Sequence, residues 1–125
     1  MSVAITEVTG GTLTFKLAGL VKWAEVAEVQ RQAGEIIREH GGKVRFLVLL
    51  EGVVGLEKGA EWGDVSFPAT YDQFIEKIAI VGEKRMEPAA LLFTGKGVRK
   101  VAIEFFQPAG LEQARAWLAG PAAKP

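Results

Sequence analysis

The chain has no cysteine among its 125 residues, one histidine (His40) and two serines (Ser2 and Ser66). Without cysteine there can be no disulfide, no thiolate metal site and no cysteine nucleophile. A lone histidine cannot build the usual multi-histidine metal site, and a catalytic base would need a nucleophile beside it. We therefore expect no metal, no cofactor and no enzymatic activity.

Charge of one sign and long apolar runs are also missing. Basic and acidic residues number 15 each, whereas a nucleic-acid-binding protein normally carries a basic surplus or stripe. No apolar run approaches the roughly 20 residues that cross a bilayer. Residues 1–7 lack the basic start and apolar stretch of a signal peptide. We expect a cytoplasmic protein that binds no nucleic acid and has no transmembrane segment.

Two continuous apolar runs are the main positive feature. One covers residues 44–50, and the other covers residues 78–81 and is closed by Gly82. Such runs are typical of strands that are covered on both faces, as in parallel sheets. Parallel strands separated by longer segments need crossover connections, so the two runs predict an α/β core.

The flanking segments have clear periods. Residues 3–8 and 12–17 surround a Gly-Gly pair, which predicts a β-hairpin. Apolar residues recur at spacings of three and four over residues 22–40, which predicts a helix that ends at Gly41. Gly34 inside this helix costs about 1 kcal/mol relative to alanine, and we interpret it as a point of close packing.

The second crossover has weak helix propensity because it contains Gly59, Gly63 and Pro68. It is predicted as two short helices, over residues 56–62 and 68–74. A helix over residues 84–94, a strand over 98–106 and a helix over 111–118 follow. The order β-β-α-β-α-β-α-β-α predicts an α/β domain over residues 1–120 with a single mixed, mostly parallel five-stranded sheet, the first strand antiparallel, and a frayed tail over 121–125.

Three stretches carry a resemblance to a known family: Ile-Glu-Lys-Ile-Ala-Ile-Val-Gly at 75–82, preceded by Trp62 and Asp64, residues 98–106 and residues 112–118. In order and spacing the chain resembles the STAS family of anti-sigma-factor antagonists, and more closely its SpoIIAA-like branch of STAS/SEC14 domains. The resemblance implies a SpoIIAA-like fold. The antagonists are phosphorylated on a serine at the start of the helix after strand three. Residues 50–55 contain no serine or threonine, so this phosphoswitch is not carried over.

Four aromatic residues in the second crossover are the candidate binding site: Trp62, Phe67, Tyr71 and Phe74. They could simply pack the crossover onto the sheet. They could also form a mobile lid over an apolar pocket, or a seam between two copies. The first functional hypothesis is a non-catalytic binding module for a small apolar or amphipathic ligand. The alternative is a protein-interaction module or homodimer without the phosphorylated serine.

A second candidate site follows the strand that ends at Gly82. Ligands of open α/β sheets often bind at this edge, and Lys84 and Arg85 could hold an anion there. A solvated helix start, with Glu83 offsetting one charge, is the competing interpretation.

Overall fold

The computed structural model describes residues 2–60 and 62–121. Met1, Glu61 and residues 122–125 lie outside the described residues, and so does all of the predicted tail except Pro121. The helices and strands are β1 (Val3–Thr9), β2 (Thr12–Val21), α1 (Trp23–His40), β3 (Val44–Leu56), α2 (Ser66–Tyr71), β4 (Ile75–Val81), α3 (Glu87–Thr94), β5 (Ala102–Phe106) and α4 (Leu111–Ala119). Short 3-10 turns cover Asp72–Phe74, Lys84–Met86 and Pro108–Gly110.

The strands of the described residues form one sheet in chain order, β1-β2-β3-β4-β5. β1 is antiparallel to β2, and all later neighbours are parallel. The predicted fold class and element order are confirmed. The predicted hairpin is present too, because Gly10 and Gly11 supply the two positive φ angles of its turn, 56° and 82°.

One face of the sheet is packed by α1, α2 and α3. Right-handed crossovers between neighbouring parallel strands place all connecting helices on the same side. The apolar stripe of α1 is buried against the sheet at Val29, Ala33 and Ile37, as its period predicted. The helix ends at Gly41, whose φ of 73° gives the left-handed cap.

The opposite face is packed by α4. Alternate side chains of β3 and β4 point to this face, and they form a separate cluster with the helix. Its buried members are Leu47, Ala79, Val81, Ala114 and Leu118. The run over residues 78–81 is therefore buried from both sides, with no residue more than 6% exposed.

The predicted helix over residues 56–62 is wrong. β3 continues to Leu56, and the Glu57 N–H donates to the Val21 carbonyl over 2.9 Å. Residues 58–60 form a turn in which Gly59 has a φ of 75°. Pairing with β2, a contact distant in sequence, overrides the local helix propensity of this stretch.

The last strand also differs from its prediction, because it begins at Ala102 and not at residue 98. The N–H groups of Val98 and Arg99 both donate to the Gly95 carbonyl over 3.0 Å, which forms a turn. The Arg99 guanidinium then pairs with both carboxylate oxygens of Asp72, at 2.9 and 2.5 Å. These contacts hold the chain away from the edge of β4 until Ala102.

Candidate functional site

Trp62 ties the second crossover to two helices. Its indole N–H donates to the Glu57 carbonyl over 2.7 Å. Its ring meets Trp23, at the start of α1, and Phe93, near the end of α3, with centroid distances of 5.5 Å in both cases and near-perpendicular planes. Such edge-to-face pairs contribute about 0.5–1.5 kcal/mol each beyond their buried area. Trp62 therefore fastens the first part of the crossover.

Phe67 and Tyr71 fasten the second part, which is α2. The Phe67 ring lies 4.9 Å from that of Tyr71 and stacks on Phe46 of β3 at 6.5 Å. Phe46 in turn contacts Phe15 of β2 at 4.7 Å. A column of four rings thus runs from the sheet to the crossover. It is named here the ring column.

The ring of Tyr71 lies directly over Gly34 of α1. A Cβ atom added to Gly34 would stand 2.6 Å from the Tyr71 hydroxyl oxygen, closer than any real contact. The interpretation of Gly34 as a point of close packing fits this contact. Arg38 donates to the same hydroxyl, and its guanidinium carbon lies 5.9 Å from the centre of the ring. Tyr71 therefore connects the crossover to α1 in two ways. Its side chain packs on Gly34, and its hydroxyl accepts a hydrogen bond from Arg38.

Phe74 stands apart from the other three predicted aromatic residues. It closes the 3-10 turn Asp72–Phe74 and remains 39% exposed. Trp62, Phe67 and Tyr71, in contrast, are half-buried and pack against the large core. The structure brings Phe67 and Tyr71 into contact, whereas Trp62 packs against the same core at a separate place.

The predicted anion site lies on an exposed turn. Lys84 and Arg85 are in the 3-10 turn Lys84–Met86, and both are exposed. The Arg85 guanidinium lies 3.1 Å from the Glu83 carboxylate, so its charge is partly neutralised by its neighbour. The turn leads directly into α3, whose first turn carries a further acidic residue, Glu87.

A groove of about 240 Å³ lies at the carboxyl end of β4 and beside the middle of β3, which continues to Leu56. The residues around it are mostly apolar and come from these strands and from the start of α4: Leu49, Leu50, Glu51, Val81, Pro108 and Leu111. Glu51 is ion-paired with Lys16 at 3.2 Å. Sequence reasoning assigned these residues to the core or to loops and missed the groove, although ligands are known to bind at this edge of α/β sheets.

Because β3 is longer than predicted, the helix that follows it starts later in the chain, next to a different residue that could be phosphorylated. Residues 50–55, interpreted as a loop, belong to the strand, and the next helix begins at Ser66. The Ser66 hydroxyl and N–H both donate to the Asp64 carboxylate, at 2.7 and 2.9 Å, and they hold the pKa of Asp64 below its usual range. A phosphoryl group on Ser66 would face this carboxylate, which disfavours it by like-charge repulsion.

Lys77 is a buried charged residue that the sequence did not indicate as a candidate site residue. It is only 2% exposed, and its ammonium donates to the Trp117 carbonyl over 2.5 Å. The same nitrogen lies 4.8 Å from the centre of the Trp117 ring. Burial lowers the pKa of Lys77, and the nearby Arg45 charge acts in the same direction. The amine thus closes the last turn of α4.

Within residues 2–60 and 62–121 there is no cluster of three or more His, Cys, Asp or Glu side chains that could hold a metal ion. In the same ranges no helix has both the length and the apolar content that crossing a bilayer requires. His40 is exposed at the end of α1.

A hairpin that leads into a parallel sheet wound in chain order, with three helices on one face and one on the other, defines a STAS-like α/β domain. The chain belongs to the SpoIIAA-like family, whose model matches residues 12–119.

Among solved structures, the chain is similar to the crystal structure of an uncharacterised protein with a SpoIIAA-like fold from Shewanella loihica PV-4. The identity is 20%, the TM-score is 0.66, and 94% of each chain is covered. At that identity the likeness concerns the fold alone. No curated protein matches the chain.

Proposed function

We propose that this SpoIIAA-like domain is a non-catalytic binding module for a small apolar or amphipathic molecule, and that the second crossover acts as a lid over the ligand. The observation that carries the proposal is the contrast between α2 and the surface below it. None of the six residues of α2 is fully buried, yet its two rings rest on a floor of aromatic and aliphatic side chains.

The lid is held by side-chain contacts more than by its own backbone. An isolated six-residue helix is far below the length at which helices are stable in water. Three sets of side-chain contacts hold it in place: the ring column, the contact of Tyr71 with Gly34, and the contacts of Trp62. Gly59 and Gly63 flank Trp62 and are exposed, which suits a hinge.

Lifting the lid would expose Phe46 and the apolar core residues around it. An apolar ligand that replaced the rings of Phe67 and Tyr71 on this surface would keep it from water. Arg38 and the Tyr71 hydroxyl lie beside this surface, and they could bind the polar end of an amphipathic molecule.

The proposal is tested by titration with dodecanoate, followed by tryptophan fluorescence and by native mass spectrometry. We expect saturable binding of one molecule per chain. Phe67→Ala should change the affinity at least tenfold, because Phe67 contacts the floor. Phe74→Ala is the matched control and should leave the affinity within twofold, because Phe74 lies outside the ring column. Equal effects of both variants, or no saturable binding, would contradict the lid.

The second candidate function is a protein-interaction module or homodimer that uses the same region. The favouring observation is the exposure of aliphatic side chains at and after the end of α3: Leu92 and Val98 are 85% and 89% exposed, and Phe93, the neighbour of Leu92 in the chain, contacts the Trp62 ring. Sedimentation equilibrium of the unliganded protein separates the two candidates. A dimer that Leu92→Lys dissociates, together with an absence of dodecanoate binding, favours the second.

A further inference from the structure

The segment between α3 and β5 contacts the lid on both sides of α2. Phe93, near the end of α3, packs edge-to-face against Trp62, with the ring centres 5.5 Å apart. Further along the chain, the Arg99 guanidinium binds both carboxylate oxygens of Asp72, at 2.9 and 2.5 Å. Trp62 precedes α2 in the chain, and Asp72 follows it directly. Residues 93–99 therefore attach to the lid at two places, and they are named here the strap.

The strap is itself held in one conformation by a tight turn. Gly95 has a φ of 78° and donates its N–H to the Leu91 carbonyl over 3.0 Å. The Arg99 side chain folds back over this turn, because a Cβ atom added to Gly95 would stand 3.2 Å from it. Its guanidinium also donates to the Thr94 carbonyl over 3.0 Å. The turn thus orients the guanidinium that binds the lid.

The attachment at Asp72 is the firmer of the two. Two-point pairing of a guanidinium with a carboxylate is among the stronger side-chain contacts. The Arg99 and Asp72 side chains are 19% and 24% exposed, so water and salt screen this pair less than a surface pair. The chain then passes through the 3-10 turn into β4, whose first residue, Ile75, is only 3% exposed.

The attachment at Trp62 is the weaker one. Its partner in the strap, Phe93, is 45% exposed, and their contact is an apolar one. Gly59, with a φ of 75°, and Gly63 flank Trp62, and glycine changes its backbone angles at little steric cost. Residues 63–66 are exposed as well. A local opening should therefore begin on this side of α2.

We propose that residues 93–99 act as a strap that controls the opening of the lid. The lid detaches on its Trp62 side, where the strap contributes Phe93, and turns about the Asp72–Arg99 ion pair, which stays closed. Arg99 is thus a positioning residue for the lid. This inference rests on the proposal that the crossover is a lid, and the strap would set the fraction of molecules that are open to a ligand.

The test is hydrogen exchange of the whole unliganded protein, followed by NMR. In the unmodified protein, the Trp62 indole N–H should be protected at least tenfold less than the Asp72 amide, which donates to the Pro68 carbonyl. Phe93→Ala should speed exchange of the indole N–H at least tenfold and leave the Asp72 amide within threefold. Leu92→Ala is the matched control in the same helix, since its side chain is 85% exposed, and it should leave both groups within threefold.

A second pair of variants tests the pivot. Arg99→Gln should speed exchange of the Asp72 amide at least tenfold, while the amide of Ile80, between β3 and β5, stays within threefold. Lys96→Gln is the matched control, because Lys96 lies in the strap but pairs with Glu104 of β5 at 3.4 Å. The double variant Asp72→Asn/Arg99→Gln leaves no unpaired charge and should repeat the result of Arg99→Gln if the single variant folds poorly.

The strap is overturned if Phe93→Ala and Leu92→Ala act alike, or if the Asp72 amide is unchanged when its ion pair is removed. It is also overturned if the Ile80 amide is accelerated as much as the lid, because the whole domain then unfolds together. Dodecanoate titration tests the ligand separately. Saturable binding without selective exchange would keep the ligand and refute the strap, whereas selective exchange without binding would keep the strap and refute the ligand.

Discussion

The two faces of the sheet are stabilised in different ways. The face under α1, α2 and α3 is an apolar core in which rings and aliphatic side chains interlock. The face under α4 has a smaller apolar cluster and depends in addition on two cations. Lys77 donates to the Trp117 carbonyl, and Arg45 donates to the Gly120 carbonyl over 2.7 Å and pairs with Glu76 at 3.3 Å.

The difference follows from the connectivity. Three crossovers return to the same face, so that face is covered by the chain's own path. The other face is covered by one helix of nine residues at the end of the described chain. A short terminal helix frays at its last carbonyls, and cations placed there satisfy them and favour its dipole. Hydrogen bonds from two side chains to the carbonyls at the end of α4 thus add to the packing on this face.

The largest effect is expected on the apolar face, from Gly34→Ala. Alanine would favour the helix by about 1 kcal/mol, but its Cβ would stand 2.6 Å from the Tyr71 hydroxyl oxygen and 2.7 Å from the nearest ring carbon. Overpacking of this kind costs about 1–3 kcal/mol. We expect a net loss of up to about 2 kcal/mol in the free energy of unfolding, measured by urea denaturation.

The same substitution is also made in the Tyr71→Ala variant, which lacks the ring. With the ring removed, Gly34→Ala should stabilise the protein by about 1 kcal/mol, so the sign reverses. Gly63→Ala, at an exposed glycine with open space around it, is the control for the backbone effect of alanine. Stabilisation by Gly34→Ala in both backgrounds would show that Tyr71 does not lie on α1.

A pH-dependent effect is expected on the other face, at Lys77. Its lowered pKa means that the folded chain loses this proton more readily than the unfolded chain. Between the folded value and about 10.4, the unfolded chain holds the proton and the folded chain does not, so stability rises with pH through this window. The stability gained from the neutral amine is fully present above about 10.4, and it is lost as the pH falls through the pKa of Lys77 in the folded chain.

We therefore expect unmodified protein to gain stability relative to Lys77→Met as the pH rises from 7 toward 10.5, by about 1.4 kcal/mol for each unit of pKa shift. Urea denaturation of both proteins across this range measures the difference. Lys58→Met removes a lysine charge from an exposed turn and serves as the reference. A difference that stays constant, or that shrinks as the pH rises, would contradict a desolvated ammonium.

The sequence predicted the apolar face far better than the other one. The period of α1, the two apolar runs and the Gly-Gly hairpin are local patterns, and each is confirmed. The sequence also pointed to Trp62, Phe67 and Tyr71 as a group, because aromatic residues stand out in a segment of weak helix propensity. Local patterns could not give the length of β3, since its last residues are strand only through pairing with β2.

The same limit applies to Lys77 and to the groove. Nothing near Lys77 in the sequence shows that its amine meets Trp117, which is 40 residues away. The groove joins the middle of β3 and the end of β4 to the start of α4, so it exists only once the sheet is assembled. Phe74 is predicted from its residue type alone, and it lies outside the ring column. Residue type indicates that an aromatic ring prefers burial, but it does not indicate which residues the ring contacts.

The smallest effect on folding is expected on the solvent side of α1, at a site that belongs to neither face. Arg31 binds both carboxylate oxygens of Glu28, at 3.0 and 2.6 Å, and lowers its pKa to about 2. The stabilisation by this carboxylate is present above about 4.3 and is lost as the pH falls through about 2. Because both side chains are about half exposed, water and salt screen the pair, and the urea midpoint at pH 7 should hardly change in Arg31→Gln. The titration of Glu28, followed by carboxyl carbon NMR, should nevertheless move toward about 4.3 in that variant. An unmodified protein whose Glu28 already titrates there would show that the ion pair does not persist in solution.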